Sequence, residues 1–160
     1  WSSQDTPLVR HIATLPKDIR LAAQPRLAAF IQTFAQRQVF VSSTTNMLPH
    51  GYQYGRTMEQ RLEAFFRAYY SPDRETLLRF AAENRIHYMV VDARDFGPDA
   101  VARSRYAEPW NRLTAELVLR QPVESLVLAQ PAATCVTFRD GPMQLVDLRC
   151  MAAPATPAQP

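Results

Sequence analysis

Asp92 closes the apolar run IHYMVVD, Ile86 to Asp92, and Arg94 follows two residues later. A carboxylate beyond the end of a buried strand suits three kinds of chemistry: holding a ribose or sugar hydroxyl, ligating a metal, or acting as a base. The competing reading is structural, with Asp92 capping the next segment or pairing with Arg94. That reading is favoured because the sequence places no second carboxylate in a defined geometry beside it, although Asp95 points to the same loop. A second group lies in NMLPHGYQYGRTMEQR, where His50, Tyr52, Tyr54 and Arg56 could stack on a sugar or hold an anion. Here too packing competes: Pro49, Gly51 and Gly55 mark turns, and tyrosines bury their rings while their hydroxyls find partners. Uncharged loops of this length are nonetheless uncommon in compact domains and are often functional.

The remaining reactive residue types exclude more than they suggest. Neither Ser42-Ser43 nor Ser71 stands in G-x-S-x-G, so there is no nucleophile elbow. His11, on an expected helix, and His87, on an expected strand, are too dispersed from His50 to define a metal site. The chain has only four Gly, and after IRLAAQP comes RLAAFIQ, with no glycine-rich phosphate loop. No cofactor is expected. Cys135 and Cys150 flank the hairpin TCVTFRDGPMQLVDLRC, whose turn is placed at Asp140-Gly141 or at Arg139–Pro142. That centring sets Phe138 opposite Met143 and Cys135 opposite Val146, leaving Cys150 roughly 13 Å away at strand rise. Two free thiols are therefore expected, because a disulfide needs Cα atoms within about 7 Å.

These residues need elements to position them. Thr6-Pro7 opens a helix with Leu8, Val9, Ile12 and Leu15 on one face, and Pro16 ends it. Ile19 to Ala23 is a short strand, Arg26 to Gln36 a helix, and Gln38 to Ser43 a covered strand. From Thr57 an amphipathic helix buries Met58, Leu62, Phe65, Phe66 and Tyr69. Another starts at Ser71-Pro72-Asp73, capped by Ser71 or Asp73, and ends in a left-handed turn at Asn84. After the Ile86 to Asp92 strand, a helix near Pro109 runs to Gln121, and SLVLA and the hairpin add three strands. The order predicts an α/β Rossmann-like three-layer sandwich, with a mainly parallel sheet and a C-terminal antiparallel hairpin. Its variable loops would follow the second and third strands.

At 160 residues, 47% of them hydrophobic, the chain suits one domain, assigned to residues 1–150. MAAPATPAQP reads as a disordered tail over residues 151–160. The net charge of +3 comes from residues 1–37, which hold five basic and two acidic side chains. The rest balances, which argues against a nucleic-acid partner. No stretch of about twenty apolar residues exists, and WSSQDTPLVR has no signal-peptide pattern. Beginning on Trp1 rather than Met suggests a piece of a longer protein.

Several stretches together carry a family resemblance: LPKDIRLAAQP, FAQRQVFVSS, RLEAFFRAYYSPDRETLLRFAAENRIHYMVVD and VTFRDGPMQLVDL. Over residues 8–148 they resemble the soluble C-terminal region of large bacterial membrane proteins of the glycosyltransferase C superfamily. Relatives of oligosaccharyltransferase and protein mannosyltransferase belong to that group. Asn84-Arg85 departs from the pattern, which has Gly just before the xxYxVVD strand. The resemblance implies a non-catalytic domain on the extracytoplasmic, periplasmic face of the inner membrane, helping position a glycan or protein acceptor beside the parent's membrane helices. Catalytic acidic residues of such proteins belong to loops between membrane helices, so none is carried over. The alternative is a free-standing sugar- or nucleotide-binding protein or enzyme using Asp92, Arg94, His50, Tyr52, Tyr54 and Arg56.

Overall fold

A computed structural model describes residues 6–43, 52–103, 106 and 108–153. Helix α1 (Pro7–Thr14) starts where Thr6 Oγ1 accepts from Val9 N at 3.2 Å, with Pro7 at the first helical position. Strand β1 (Arg20–Ala22) leads to α2 (Pro25–Phe30), which continues through Ile31–Ala35 as a π-helical turn. Strand β2 is only Gln38–Val39, shorter than expected, although Phe40 N still donates to Leu21 O at 2.9 Å. Helices α3 (Tyr52–Tyr69) and α4 (Arg74–Asn84) then carry the chain back to β3 (Tyr88–Asp92). Helices α5 (Pro98–Arg103) and α6 (Trp110–Leu119), strands β4 (Val136–Asp140) and β5 (Met143–Asp147), and α7 (Leu148–Ala152) complete the fold.

The sheet order is β2-β1-β3-β5-β4. Strand β1 pairs parallel with β2 and β3, whereas β5 pairs antiparallel with β3 and β4. The expected mainly parallel sheet is thus an even mixture. SLVLA is not a strand: its alternation of buried Leu126 and Leu128 comes from i→i−3 turns, and among the described residues only Val127 N donates to another segment, at Ser71 O. Without that strand the parallel part has only two pairings.

Alternate residues of β3 serve the two faces. Tyr88 and Val90 face α1 and α2, packing with Leu8, Ile12, Leu27, Ile31 and Leu145. Met89 and Val91 face α3, α4, α6 and α7, packing with Phe65, Leu77, Phe80 and Leu148. All five β3 residues are buried because both faces are covered. The second core is aromatic: Phe65 lies 5.2 Å from Tyr69, and Tyr69 stacks on Phe96 at 5.4 Å. Met151 of α7 is also buried in it.

Three local readings change. Helix α3 begins at Tyr52, five residues earlier than Thr57, because Gly55 does not break it; the exposed glycine only weakens the first turns. Helix α4 is capped by the Asp73 carboxylate, and its left-handed terminal residue is Arg85, φ +54°, not Asn84. Asn84 stays helical and donates through Nδ2 to Phe80 O at 2.9 Å.

The third change concerns the cysteines, which form a Cys135–Cys150 disulfide with a Cα separation of 5.4 Å. The expected 13 Å assumed that β5 runs straight past Asp147. Instead, the Asp147 carboxylate accepts from Arg149 N and Cys150 N, starting α7 and folding the chain back. Hairpin pairing also differs. Gly141-Pro142 makes the turn, Asp140 faces Met143, and Cys135 lies in a 3-10 turn before β4.

Arg37 holds the weakly paired edge. This buried guanidinium donates to the carbonyls of Ala13, Leu15, Ala35 and Gln36, so one cation satisfies the C-terminal carbonyls of α1 and of the helix after it.

Candidate functional site

A parallel strand pair whose connections leave in opposite directions opens a crevice beyond its carboxyl ends. Strand β1 is such a branch, with β2 on one side and β3 on the other. Gln24, just after β1, and Asp92, at the end of β3, line one cleft of about 580 Å³. Arg26, Leu27 and Phe30 of α2 also line it, as do Arg94, Asp95 and Tyr106.

Asp92 is held locally. Its Oδ1 accepts from Arg94 N and Nε, both at 2.9 Å, and its Oδ2 accepts from Arg94 Nη2 at 2.6 Å. It both caps the 3-10 turn Ala93–Asp95 and pairs with Arg94. The Arg94 side chain remains 53% exposed, so the pair presents its cationic half toward solvent.

Beneath it lies a polar floor. Tyr69 Oη donates to Asp95 Oδ2 at 2.8 Å and accepts from Asp92 N at 3.2 Å. Gln24 Nε2 donates to Tyr70 Oη at 3.2 Å, while Tyr106 Oη donates to Gln24 Oε1. Burial raises the Asp95 carboxyl to about 6, against the opposing effect of its hydrogen bond from Tyr69. Burial likewise pushes the phenols of Tyr69, Tyr70 and Tyr106 up, and the Asp95 charge adds to that shift. The phenols are therefore neutral donors over the physiological range.

Of the residues singled out from sequence, Asp92 and Arg94 meet in this cleft. Arg56 lies on the exposed face of α3 and is not among the described residues that line the cleft. Tyr52 and Tyr54 belong to the first turn of α3, with their side chains outside the described residues, and His50 also lies outside them. Gln24, Tyr69 and Tyr106 were not anticipated. Gln24 was detectable in principle, since AAQP leaves the carboxyl end of β1, but that loop becomes special only once β1 is known to sit between β2 and β3. Among the described residues, no group of three metal-ligating side chains occurs.

The chain's fold is similar to that of the C-terminal globular domain of an oligosaccharyltransferase from Archaeoglobus fulgidus. The TM-score is 0.52 over 88% of this chain and 93% of that one, at 11% sequence identity. The likeness is one of fold. No protein-family model matches the chain, and no curated protein matches its sequence.

Proposed function

We propose that this chain is a non-catalytic accessory domain of a membrane-embedded, glycosyltransferase-like protein, lying on the extracytoplasmic side and helping position an acceptor or partner. The observation that carries this reading is the likeness to an oligosaccharyltransferase C-terminal globular domain over nearly the full length of both chains. The mixed α/β fold, with a five-stranded sheet in the order β2-β1-β3-β5-β4, is compatible with it.

Two further features fit. The Cys135–Cys150 disulfide suits an oxidising compartment. No described helix is long and apolar enough to cross a membrane, so in this reading the parent's own helices supply the anchor. Asp92 then serves binding or capping, with its carboxylate held by Arg94 and no nucleophile assigned beside it.

The full native reading frame tests the proposal. It should encode several apolar segments of about twenty residues on the amino-terminal side. A frame beginning near Trp1 with no such segment would overturn it.

A further inference from the structure

The cleft's volume of about 580 Å³ lies within the ~300–1,000 Å³ of small-molecule sites. Its lining is mixed in character, with apolar Leu27, Phe30, Val90 and Met143 beside polar Gln24, Asp92, Arg94, Asp95 and Tyr106. Charges are balanced, with Arg26 and Arg94 set against Asp92 and Asp95. This balance disfavours a phosphorylated ligand, as does Pro25 at the start of α2, which withholds a backbone donor where a phosphate would need one. The Asp92–Arg94 pair places an acceptor beside a donor, which matches neighbouring hydroxyl groups because each hydroxyl can donate and accept. Gln24 and Tyr106 are already oriented by their mutual hydrogen bond, so little side-chain freedom is lost on binding.

We propose that this cleft binds a neutral carbohydrate, with the C–H face of a sugar ring on Leu27 and Phe30 and vicinal hydroxyls on the Asp92–Arg94 pair. The ligand's charge follows from the equal numbers of cationic and anionic side chains, and its amphipathic character from the mixed apolar and polar lining. The site's chemistry does not depend on whether membrane helices accompany the domain.

Amide chemical-shift titration of the 160-residue chain tests this, using methyl mannoside, methyl glucoside and N-acetylglucosamine in turn, with inorganic phosphate and adenosine monophosphate as anionic probes. At least one neutral sugar should shift the amides of Gln24, Asp92, Arg94 and Tyr106, and D92N should weaken it by about tenfold. D147N, in a matching Asp-x-Arg turn at the far end of the sheet, should leave the affinity unchanged. If D92N fails to give a folded spectrum, Y106F takes its place and must also weaken binding. No response to any sugar, shifts confined elsewhere, or a cleft response to the anionic probes alone would each overturn the proposal.

Discussion

The same local device occurs twice on adjacent, oppositely directed strands. Asp92-Ala93-Arg94 follows β3, and Asp147-Leu148-Arg149 follows β5. In both, the carboxylate accepts from the backbone N–H two residues on, and the arginine fork reaches back at 2.6 Å or 2.8 Å. The surroundings differ. Arg149 lies over the Tyr88 ring at 4.9 Å and donates to its hydroxyl at 2.7 Å, and Asp147 starts the helix that carries Cys150 to the disulfide. Arg94 instead borders the cleft, with Asp95 and the tyrosines behind it. Asp-x-Arg is therefore a way of ending a strand, and any binding role of Asp92 comes from its neighbours.

Several substitutions would break or sharpen that contrast. The largest effect belongs to the aromatic core shared by both ends: F65A should lose about 3–5 kcal/mol in chemical denaturation. A near-neutral result would mean that the α3 face is wrongly understood. Next comes the Asp147 end, where reducing Cys135–Cys150, with a sequence separation of 15, should cost about 3 kcal/mol. Such reduction should lower the urea midpoint while leaving the amide shifts of Gln24 and Asp95 in place; if the cleft collapses too, the two ends are not independent.

The pH dependence separates the ends further. Between about pH 4 and 6, folded Asp95 keeps a proton that the unfolded chain has released, so stability falls as pH rises through that window. The loss approaches ~3 kcal/mol above pH 6, from the difference between an ordinary carboxyl and one at about 6. D95N should therefore gain on the wild type between pH 4.5 and 7.5 in urea titrations, and parallel curves would refute the buried carboxyl. Asp147 behaves oppositely. Partial burial tends to raise it, but hydrogen bonds from Arg149 and Cys150 outweigh that and hold its pKa below the usual range. Its contribution is present above the ordinary carboxylate pKa and fades as pH falls through its lowered folded value. D147A should cost about 1 kcal/mol as a lost helix cap at neutral pH, and correspondingly less in acid.

The smallest effect probes the start of α3. G55A should stabilise by about 0.5–1 kcal/mol, since an added Cβ meets nothing within 4 Å. A loss of stability would mean that the helix does not begin at Tyr52.

Legibility in the sequence followed the range of the interactions. Leu62, Phe65, Phe66 and Tyr69 announce their buried face because helical spacing acts locally; Thr6 announces its cap for the same reason, and the α4 cap narrows to Ser71 or Asp73, of which Asp73 serves. IHYMVVD reads as a covered strand because both of its faces are packed. Leu126 and Leu128 mislead, since alternate burial accompanies tight turns as well as strands. The disulfide stayed hidden because it depends on Asp147 turning the chain, an event that residue spacing alone does not show. Asp92 and Arg94 were visible as a pair. Gln24, Tyr69 and Tyr106 were not placed beside them, because their meeting depends on the strand order β2-β1-β3.

The most direct test of the central reading uses cells of the native source, quenched in acid and separated into carbonate-washed membranes and supernatant. The protein in each fraction is treated with a mass-tagging maleimide before and after reduction. The account predicts the protein in the membrane fraction, with Cys135 and Cys150 tagged only after reduction. Recovery in the supernatant with both thiols tagged at once would contradict it.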